Sequence, residues 1–210
     1  MNKFFIAILF FLCVGLGFGQ NPKPETLVMI STDYGEILIK LYNETPRHRD
    51  NFIKLAKEGY FNSSAFHRVI KYFMIQGGGK DNGYGDVDYT LPAEIIPGLY
   101  HKKGALAAAR QPDNINPKKE SSGSQFYLVH GHKFKLEDLK AMETQMNKVF
   151  SAEQIELYTT QGGAPHLDND YTIFGEVIMG FEVVDQIARV EIGKYDKPLK
   201  DIKMTVTILE

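Results

Sequence analysis

Short strand-like segments separated by turn residues recur along most of this chain, and they restrict its fold more than any other feature. Two of them, 26–32 and 36–42, are rich in β-branched and apolar residues and flank the turn sequence Asp33-Tyr34-Gly35, which predicts a β-hairpin. Apolar side chains alternate along the second segment, as in a strand with one buried face. Further strand candidates lie at 66–70, 73–76, 104–110, 124–130, 171–178 and 202–209.

Two amphipathic helices lie far apart among these strand segments. Thr45 and Pro46 predict the start of the first, with Thr45 as the N-cap and proline at the first helical position, and Gly59 predicts its end. The second is predicted by an apolar stripe between 181 and 188. Many strands with two such helices predict a mainly β fold, an antiparallel barrel or sandwich plugged by helices.

Residues 132–165 interrupt the strand pattern with helical periodicity. A stripe with steps of three and four residues predicts a helix over 135–148, and its members are Leu136, Leu139, Met142 and Met146. Ser151 followed by Gln154 is a capping-box pattern, which opens a second short helix that ends at Gly162-Gly163. We therefore predict an α-helical insertion in the β domain. The pattern leaves open whether this insertion is peripheral, part of the core or placed over a binding groove.

The first 19 residues predict a secretory signal peptide. An apolar run covers 4–18, and Gly17 and Gly19 are small residues at the −3 and −1 positions of a cleavage site. The run is shorter than the roughly 20 apolar residues of a membrane span. We therefore expect cleavage after Gly19, a short linker over 20–25, no stable membrane anchor, and an exported protein that is periplasmic or secreted.

The remaining composition limits the class of partner and the source of stability. The one cysteine, Cys13, lies in the predicted leader and follows Leu12 rather than a small residue, which disfavours a lipid anchor. The mature chain then contains no cysteine and forms no disulfide. The formal net charge of the full chain is −2, so nothing indicates a nucleic-acid partner or a polybasic membrane surface. We assign 26–210 to one domain.

Three motifs that carry chemistry in other settings lack the neighbours that they need. The run 77–80, three glycines and a lysine, has neither the spaced glycine nor the following Ser or Thr of a phosphate loop. His130 and His132 have no third metal ligand at a recognisable spacing. Ser124 does not lie in a nucleophile elbow. We therefore predict no nucleotide, metal or nucleophile site.

The run 66–78 (FHRVIKYFMIQGG) places one fixed cation, Arg68, close to the apolar pair Phe73 and Met74 and to the amide of Gln76. An arginine stays charged and presents its donors in a rigid fork, so it holds a polar group at a fixed place. A lone arginine on a strand is most often a surface residue. The function of Arg68 therefore depends on the other segments that accompany it.

Four segments in order resemble the cyclophilin family of peptidyl-prolyl isomerases: 66–78, GALAAAR at 104–110, SSGSQFYLVHG at 121–131 and LDNDYTIFGEV at 167–177. The resemblance covers about 27 to 210 and leaves the insertion at 132–165 unmatched. It implies a closed eight-stranded antiparallel β-barrel that is capped by two α-helices. It also implies catalysis without a metal or another cofactor.

The resemblance assigns roles to individual residues. Arg68 corresponds to the family's catalytic arginine, and Gln76 corresponds to the amide that orients it. The chain departs from common family residues at Arg110, Tyr127 and His166, where many members have asparagine, phenylalanine and, in some eukaryotic members, tryptophan. The last departure argues against high-affinity cyclosporin binding. The implied substrate-binding residues are His67, Phe73, Met74, Ala109, Arg110, Gln125, Phe126, Tyr127, His166, Leu167 and Tyr171.

The resemblance thus implies an isomerase that acts on X-Pro bonds in proline-containing polypeptides folding outside the cytoplasm, and we expect a monomer. One alternative is a catalytically weak proline-peptide binding module or chaperone. Another is a structural part of an envelope assembly, in which the insertion docks on a partner. The intact set of Arg68, Phe73, Met74 and Gln76 favours the enzyme over the binding module.

Overall fold

The computed structural model describes residues 24–80, 83 and 85–209. The predicted signal peptide, its cleavage site at Gly19, Cys13 and most of the predicted linker lie outside these residues. Within the described part of the chain, no helix is long and apolar enough to cross a membrane.

The described residues form ten strands and four α-helices, which are numbered in chain order. The strands are β1 Thr26–Thr32, β2 Gly35–Leu41, β3 Ala65–Ile70, β4 Met74–Gly78, β5 Thr90–Leu91, β6 Ala105–Ala108, β7 Ser121–Ser122, β8 Gln125–Val129, β9 Ile173–Met179 and β10 Ile202–Leu209. The helices are α1 Pro46–Lys57, α2 Leu136–Met146, α3 Ala152–Thr160 and α4 Phe181–Ile187.

Eight of the strands close into an antiparallel barrel in the order β1-β10-β3-β4-β8-β6-β9-β2. The remaining two, β5 and β7, form a separate two-stranded sheet. Closure pairs every barrel strand on both sides and so leaves no exposed barrel edge. The structure therefore confirms the mainly β fold and the closed eight-stranded barrel. The predicted hairpin is β1 and β2, whose registered pairs run from Thr26 with Leu41 to Thr32 with Gly35.

The barrel core is continuous with one face of α1 and one face of α4. Phe52 of α1 packs against Phe61, Phe126 and Phe174, with ring centroids 4.9, 5.4 and 5.6 Å away. Val184 of α4 is fully buried in the same cluster. Aromatic pairs at these separations add stabilisation beyond the burial of their surface. The two predicted core-facing helices are thus confirmed as the caps of the barrel.

The start of α1 is stabilised from a distant segment rather than by the predicted cap. The Thr45 hydroxyl makes no capping hydrogen bond, and its Oγ1 atom is buried without a partner. Instead, the Glu94 carboxylate accepts the backbone N–H groups of Arg47 at 3.1 Å and His48 at 3.0 Å. A carboxylate at a helix N-terminus satisfies free amides and complements the helix dipole. Thr45 as the N-cap residue and Pro46 as the first helical residue are therefore confirmed, while Glu94 rather than the Thr45 hydroxyl takes these donors.

The glycines at the end of β4 are required by packing. Gly78 has a φ of +84°, and a Cβ atom there would lie 2.1 Å from the carbonyl oxygen of Ser124 on the neighbouring chain segment. Residues that carry a side chain rarely adopt this backbone conformation. A Cβ at Gly77 would lie 2.6 Å from the Met204 side chain and 2.9 Å from the Phe66 ring. The close approach of these segments accounts for the two glycines.

The insertion contains both predicted helices and a small core of its own. Ser151 accepts the N–H of Gln154 at 3.2 Å and donates its own N–H to the Gln154 side chain at 3.0 Å, which confirms the capping box. Leu139 of α2 is buried with Phe150 and Tyr158, and Tyr100 from outside the insertion packs against this cluster. The predicted apolar stripe is only partly buried, since Leu136 is 48% exposed.

The contrast within α2 predicts a difference in stability. Leu139→Ala removes a side chain that is 1% exposed and leaves a cavity, so the free energy of unfolding should fall by about 2 to 5 kcal/mol. Leu136→Ala on the same helix should change it by less than about 0.5 kcal/mol. Urea unfolding of the chain without residues 1–19 measures both. Equal values for the two variants would show that the insertion unfolds separately from the barrel.

Candidate active site

The outer faces of β4, β6 and β8 build one concave surface on the barrel wall. Side chains alternate along these strands, so Ile75, Leu106 and Leu128 point into the barrel core while their neighbours point outwards. On β6, the outward residue Ala107 is small and belongs to the second apolar cluster, as does Met74 of β4. Alanines on this face leave the space that larger side chains would fill.

A cavity of about 110 Å³ lies on this surface. Its walls come from four separate regions of the chain, and each lining residue is among those expected from the sequence. The lining residues are Arg68, Phe73, Met74, Gln76, Ala109, Arg110, Tyr127, Leu167 and Tyr171. The cavity has the volume of about three to four water molecules at roughly 30 Å³ each, so it admits one small group.

Arg68 supplies a partly exposed cation at the edge of this cavity. It lies on β3 opposite Gln76 of β4, and its side chain is 42% exposed. Its Nε donates to the Asp196 carboxylate at 3.3 Å, in a turn where Tyr195 and Asp196 both have positive φ. Within the described residues, the two terminal nitrogens of Arg68 have no other protein partner. They therefore remain available to a bound molecule.

The amide of Gln76 does not contact Arg68. Its nitrogen donates to the side-chain oxygen of Gln125 at 3.2 Å. The expected orienting contact on Arg68 is thus absent from the described residues, because the charged Asp196 holds the guanidinium instead. Gln125 lines a wider groove of about 960 Å³, which shares Gln76, Ala109 and Arg110 with the small cavity. The two spaces form one extended binding surface.

Arg110, the second guanidinium at the cavity, is held by several protein groups. Its Nε donates to the Asp170 carbonyl oxygen at 2.7 Å, and its Nη1 lies 2.6 Å from the Asp113 carboxylate. The guanidinium stacks over Tyr171, with its central carbon 4.4 Å from the ring centroid. These contacts fix Arg110 as a wall of the cavity. Arg68 and Arg110 thus differ in freedom although both carry one positive charge.

Three of the expected substrate-binding residues line neither the small cavity nor the wider groove. Phe126 is 1% exposed and packs in the barrel core, because it alternates with the outward side chains of Gln125 and Tyr127. The assignment of its side chain to substrate binding is therefore corrected. His67 packs under Gly83, where a Cβ would lie 2.2 Å from the imidazole ring. His166 lies beside Phe73, with ring centroids 5.1 Å apart, and supports that wall.

Tyr127 is anchored by a buried polar chain behind the cavity. Its hydroxyl lies 3.0 Å from Nε2 of His101, and the two rings stack at 11°. The other ring nitrogen of His101 lies 3.0 Å from Asp168 Oδ1, which also accepts the His101 backbone N–H at 2.9 Å. A buried tyrosine hydroxyl needs such a partner. His101 therefore accounts for a tyrosine at this position.

The electrostatics of this chain keep Asp168 ionised and Tyr127 neutral. Burial acts to raise the pKa of Asp168, but hydrogen bonds from His101 and Tyr158 outweigh it, so the pKa lies below its usual value. Burial raises the pKa of Tyr127 well above its usual value. For the imidazole of His166, burial instead lowers the pKa. The residues of the cavity wall near the positively charged Arg68 therefore include neutral aromatic side chains.

Sequence reasoning missed His101, Asp168 and Asp196. Asp168 lies inside the segment that carried the resemblance, but nothing local marks it as a buried hub. The one available signal was Tyr127 itself, because a tyrosine in an apolar strand requires a hydrogen-bond partner elsewhere. Asp196 lies 128 residues from Arg68 in the chain, and no local pattern links the two.

The paired histidines after β8 have structural partners. His130 accepts the Tyr72 N–H through Nδ1 at 2.8 Å, and its Nε2 lies 2.8 Å from the Asp185 carboxylate of α4. His132 lies near the Tyr72 carbonyl oxygen at 3.2 Å. Across residues 24–80, 83 and 85–209, no group of three His, Cys, Asp or Glu side chains is placed to hold a metal ion.

Comparisons with known proteins agree with this geometry. The sequence model of the family described as cyclophilin type peptidyl-prolyl cis-trans isomerase/CLD matches residues 27–208. A Streptococcus pyogenes protein described as a bifunctional phosphatase/peptidyl-prolyl cis-trans isomerase is 35% identical over 83% of this chain, which spans only 37% of that relative's length. A Staphylococcus aureus protein described as a peptidyl-prolyl cis-trans isomerase is 32% identical over 85% of this chain and 88% of its own length.

Two solved structures of a cyclophilin type peptidyl-prolyl cis-trans isomerase from Cryptosporidium parvum are similar in fold. The first has a TM-score of 0.68 at 26% identity and covers 89% of this chain and 98% of the other. The second, solved in the presence of the dipeptide Ala-Pro, has a TM-score of 0.67 at 26% identity and covers 88% and 99%.

Four histidines with a lowered pKa predict that the protein loses stability in mild acid. Burial lowers the pKa of His48, His67, His130 and His166 below the usual 6.5. The unfolded chain takes up protons on these groups near pH 6.5, whereas the folded chain does so only at lower pH, so acid favours unfolding. The melting temperature should therefore fall as the pH is lowered from about 7 to about 5.

The variant His166→Gln should show a smaller fall over this interval, because it removes one of the four groups. Asp168, Asp170 and Glu176 have pKa values below their usual 3.8 to 4.5, so their contribution is lost only at still lower pH. A melting temperature that stays constant or rises between about pH 7 and 5 would contradict this prediction.

Proposed function

Because this chain belongs to the family of cyclophilin-type peptidyl-prolyl cis-trans isomerases, we propose that it accelerates isomerisation of X-Pro peptide bonds by stabilising the twisted amide with Arg68. One observation carries the proposal: Arg68 brings a guanidinium with free donors to the edge of a small cavity whose wall includes the apolar side chains of Phe73, Met74 and Leu167. The cavity is of a size for the five-membered proline ring. The neighbouring groove then takes the flanking residues of the peptide.

The reaction is slow without a catalyst because the peptide bond has partial double-bond character. Rotation costs about 18 to 20 kcal/mol, since the nitrogen lone pair is delocalised into the carbonyl group. Uncatalysed X-Pro isomerisation accordingly takes tens to hundreds of seconds. Rotation breaks no σ bond and transfers no proton. The chemistry therefore calls for neither a nucleophile nor a general base.

Arg68 provides an interaction that is strongest in the twisted state. When the amide rotates out of plane, the lone pair localises on the prolyl nitrogen, which becomes a better hydrogen-bond acceptor. A fixed guanidinium donor near this nitrogen binds the twisted amide better than either planar form, and this difference is what lowers the barrier. The Asp196 carboxylate accepts from Nε of Arg68 and so orients the guanidinium, while the two terminal nitrogens stay available to the substrate.

The magnitudes show that Arg68 does not act alone. A rate increase of about 10⁵ requires roughly 7 kcal/mol of differential stabilisation. One charge-assisted hydrogen bond contributes about 1.5 to 3 kcal/mol. The apolar walls Phe73, Met74 and Leu167 supply part of the remainder, because they exclude water from a planar amide that is more polar than the twisted one. Fixed orientation of the peptide in the groove supplies another part.

Arg110 has a separate task in this proposal. Its guanidinium is held by Asp170, Asp113 and the Tyr171 ring, so it does not follow the substrate during rotation. It instead closes one side of the proline cavity and positions the aromatic wall. The proposal thus uses Arg68 as the donor to the twisted amide and Arg110 as a wall of the cavity.

The substrates proposed here are proline-containing polypeptides that fold outside the cytoplasm. The apolar run at 4–18 and the small residues before Gln20 support export with cleavage after Gly19, to a periplasm or to the exterior. We propose that the mature chain acts as a monomer, without a lipid anchor. Mass spectrometry of the exported protein tests the cleavage site directly.

Replacement of Arg68 tests the mechanism. Arg68→Ala should lower kcat/KM on an Ala-Pro test peptide by about 10- to 100-fold, since it removes one charge-assisted hydrogen bond to the transition state. Arg68→Lys should also lose most activity, because an ammonium lacks the planar fork of the guanidinium. The melting temperature should change little in either variant, since the Arg68–Asp196 pair is partly exposed.

Arg189→Ala is the matched control, because Arg189 is an exposed arginine just after α4 that pairs with Asp185 and does not line the cavity. It should retain the wild-type kcat/KM. Full activity of Arg68→Ala would overturn the proposed mechanism. A wild-type chain that binds the Ala-Pro peptide without accelerating its isomerisation would instead identify a proline-peptide binding module.

A further inference from the structure

The buried polar chain behind the cavity does not end at Asp168 but continues into the helical insertion. Tyr158 of α3 donates its hydroxyl to Asp168 Oδ2 at 2.6 Å, and the side-chain nitrogen of Gln154 donates to the same oxygen at 2.8 Å. Tyr158, Asp168 and His101 are each at most 2% exposed. A continuous path of buried hydrogen bonds therefore joins α3 to Tyr127 in the cavity wall.

The direction of each hydrogen bond in this path follows from the charge of Asp168. An ionised carboxylate only accepts, so His101 must donate to it from Nδ1. The remaining ring nitrogen, Nε2, is then the acceptor for the Tyr127 hydroxyl in the neutral imidazole. This tautomer is an inference from the donor set. With this tautomer, each hydrogen bond on the path has one defined donor and one defined acceptor.

Asp168 controls two walls of the cavity at once. It follows Leu167 directly in the chain, so fixing its carboxylate also fixes the backbone that carries the Leu167 wall. Through His101 it holds the hydroxyl of Tyr127 on the facing wall. Half of the four donors to its carboxylate come from the insertion, namely those of Gln154 and Tyr158.

A second contact ties the insertion to the same segment. Lys148, just after α2, donates to the Asp168 carbonyl oxygen at 3.3 Å and lies 2.8 Å from the Asp170 carboxylate. Asp170 also binds Lys119, and its carbonyl oxygen accepts from Arg110. The insertion thus contacts the cavity wall from behind at several points, while the cavity lining itself contains no residue of α2 or α3.

We propose that the helical insertion is a positioning element of the substrate cavity, in which Tyr158 and Gln154 set the placement of Tyr127 and Leu167 through Asp168 and His101. The inference rests on the proposed isomerase function, since it concerns the cavity that holds the proline ring. Tyr158 and Gln154 are positioning residues, because they touch Asp168 and not the cavity. The cavity is small, so a modest shift of either wall changes how well the ring fits.

Removal of single hydroxyl groups tests the proposal. Tyr158→Phe, Tyr127→Phe and the double variant are compared with the wild type on an Ala-Pro test peptide. Tyr158→Phe should raise KM by about threefold to tenfold with little change in kcat, because a displaced wall weakens binding of the planar and twisted states alike. The double variant should be no worse than the worse single variant, since both changes break the same path.

Tyr100→Phe is the matched control, because it removes a tyrosine hydroxyl at the same interface whose partner is Glu153 rather than Asp168. It should leave KM unchanged. If Tyr158→Phe fails to fold, Gln154→Met removes the other donor from the insertion and should raise KM in the same way. All kinetics are measured below the melting temperature of each variant, so that loss of folded protein does not appear as a change in KM.

The outcomes separate this inference from the proposed function. A wild-type chain without isomerase activity would overturn the proposed function, and this inference with it. An active wild type whose KM is unchanged in both Tyr158→Phe and Gln154→Met would overturn the positioning role alone. Additive effects of Tyr127→Phe and Tyr158→Phe, or an equal rise of KM in Tyr100→Phe, would also overturn it.

Discussion

Closure of the barrel is the constraint on which the rest of the structure depends. Once eight strands are paired on both sides, each side chain must point either into the core or outwards, with a period of two. Phe126 and Leu128 thereby fill the core, and Tyr127 between them becomes a wall of the cavity. One hydrogen-bonded register therefore determines both the packing that stabilises the domain and the surface that is proposed to bind a peptide.

The sequence predicted the features that depend on neighbouring residues. The hairpin of β1 and β2, the capping box of Ser151 and Gln154 and the outward pocket residues follow from turn chemistry, periodicity and a family resemblance. The cap of α1 by Glu94, the pairing of Arg68 with Asp196 and the hub at Asp168 were not predictable. Each joins residues 46 to 128 positions apart, and such contacts exist only after the chain has folded.

The two arginines at the site both carry a positive charge, but they differ in how firmly the protein holds them. Arg110 is immobilised by three acceptors and a stacked ring, and it shapes the cavity without being free to meet a reacting atom. Arg68 is held through a single nitrogen and keeps its other donors exposed. Tyr127 in the cavity wall is neutral, because burial raises its pKa, and Asp196 is the carboxylate that pairs with Arg68. Differential stabilisation of a twisted amide needs this kind of environment.

The position of β10 has a consequence for how the protein is made. This last strand lies between β1 and β3 in the barrel, and Leu27 is paired with Leu209. The strands synthesised earlier therefore cannot close the barrel until β10 has been made. Until then β1 has only one of its two neighbouring strands, β2. Long-range pairings of this kind slow folding. A chain in which β10 has not yet been made is therefore open along this seam, and an open chain is the form that the export proposed above would require.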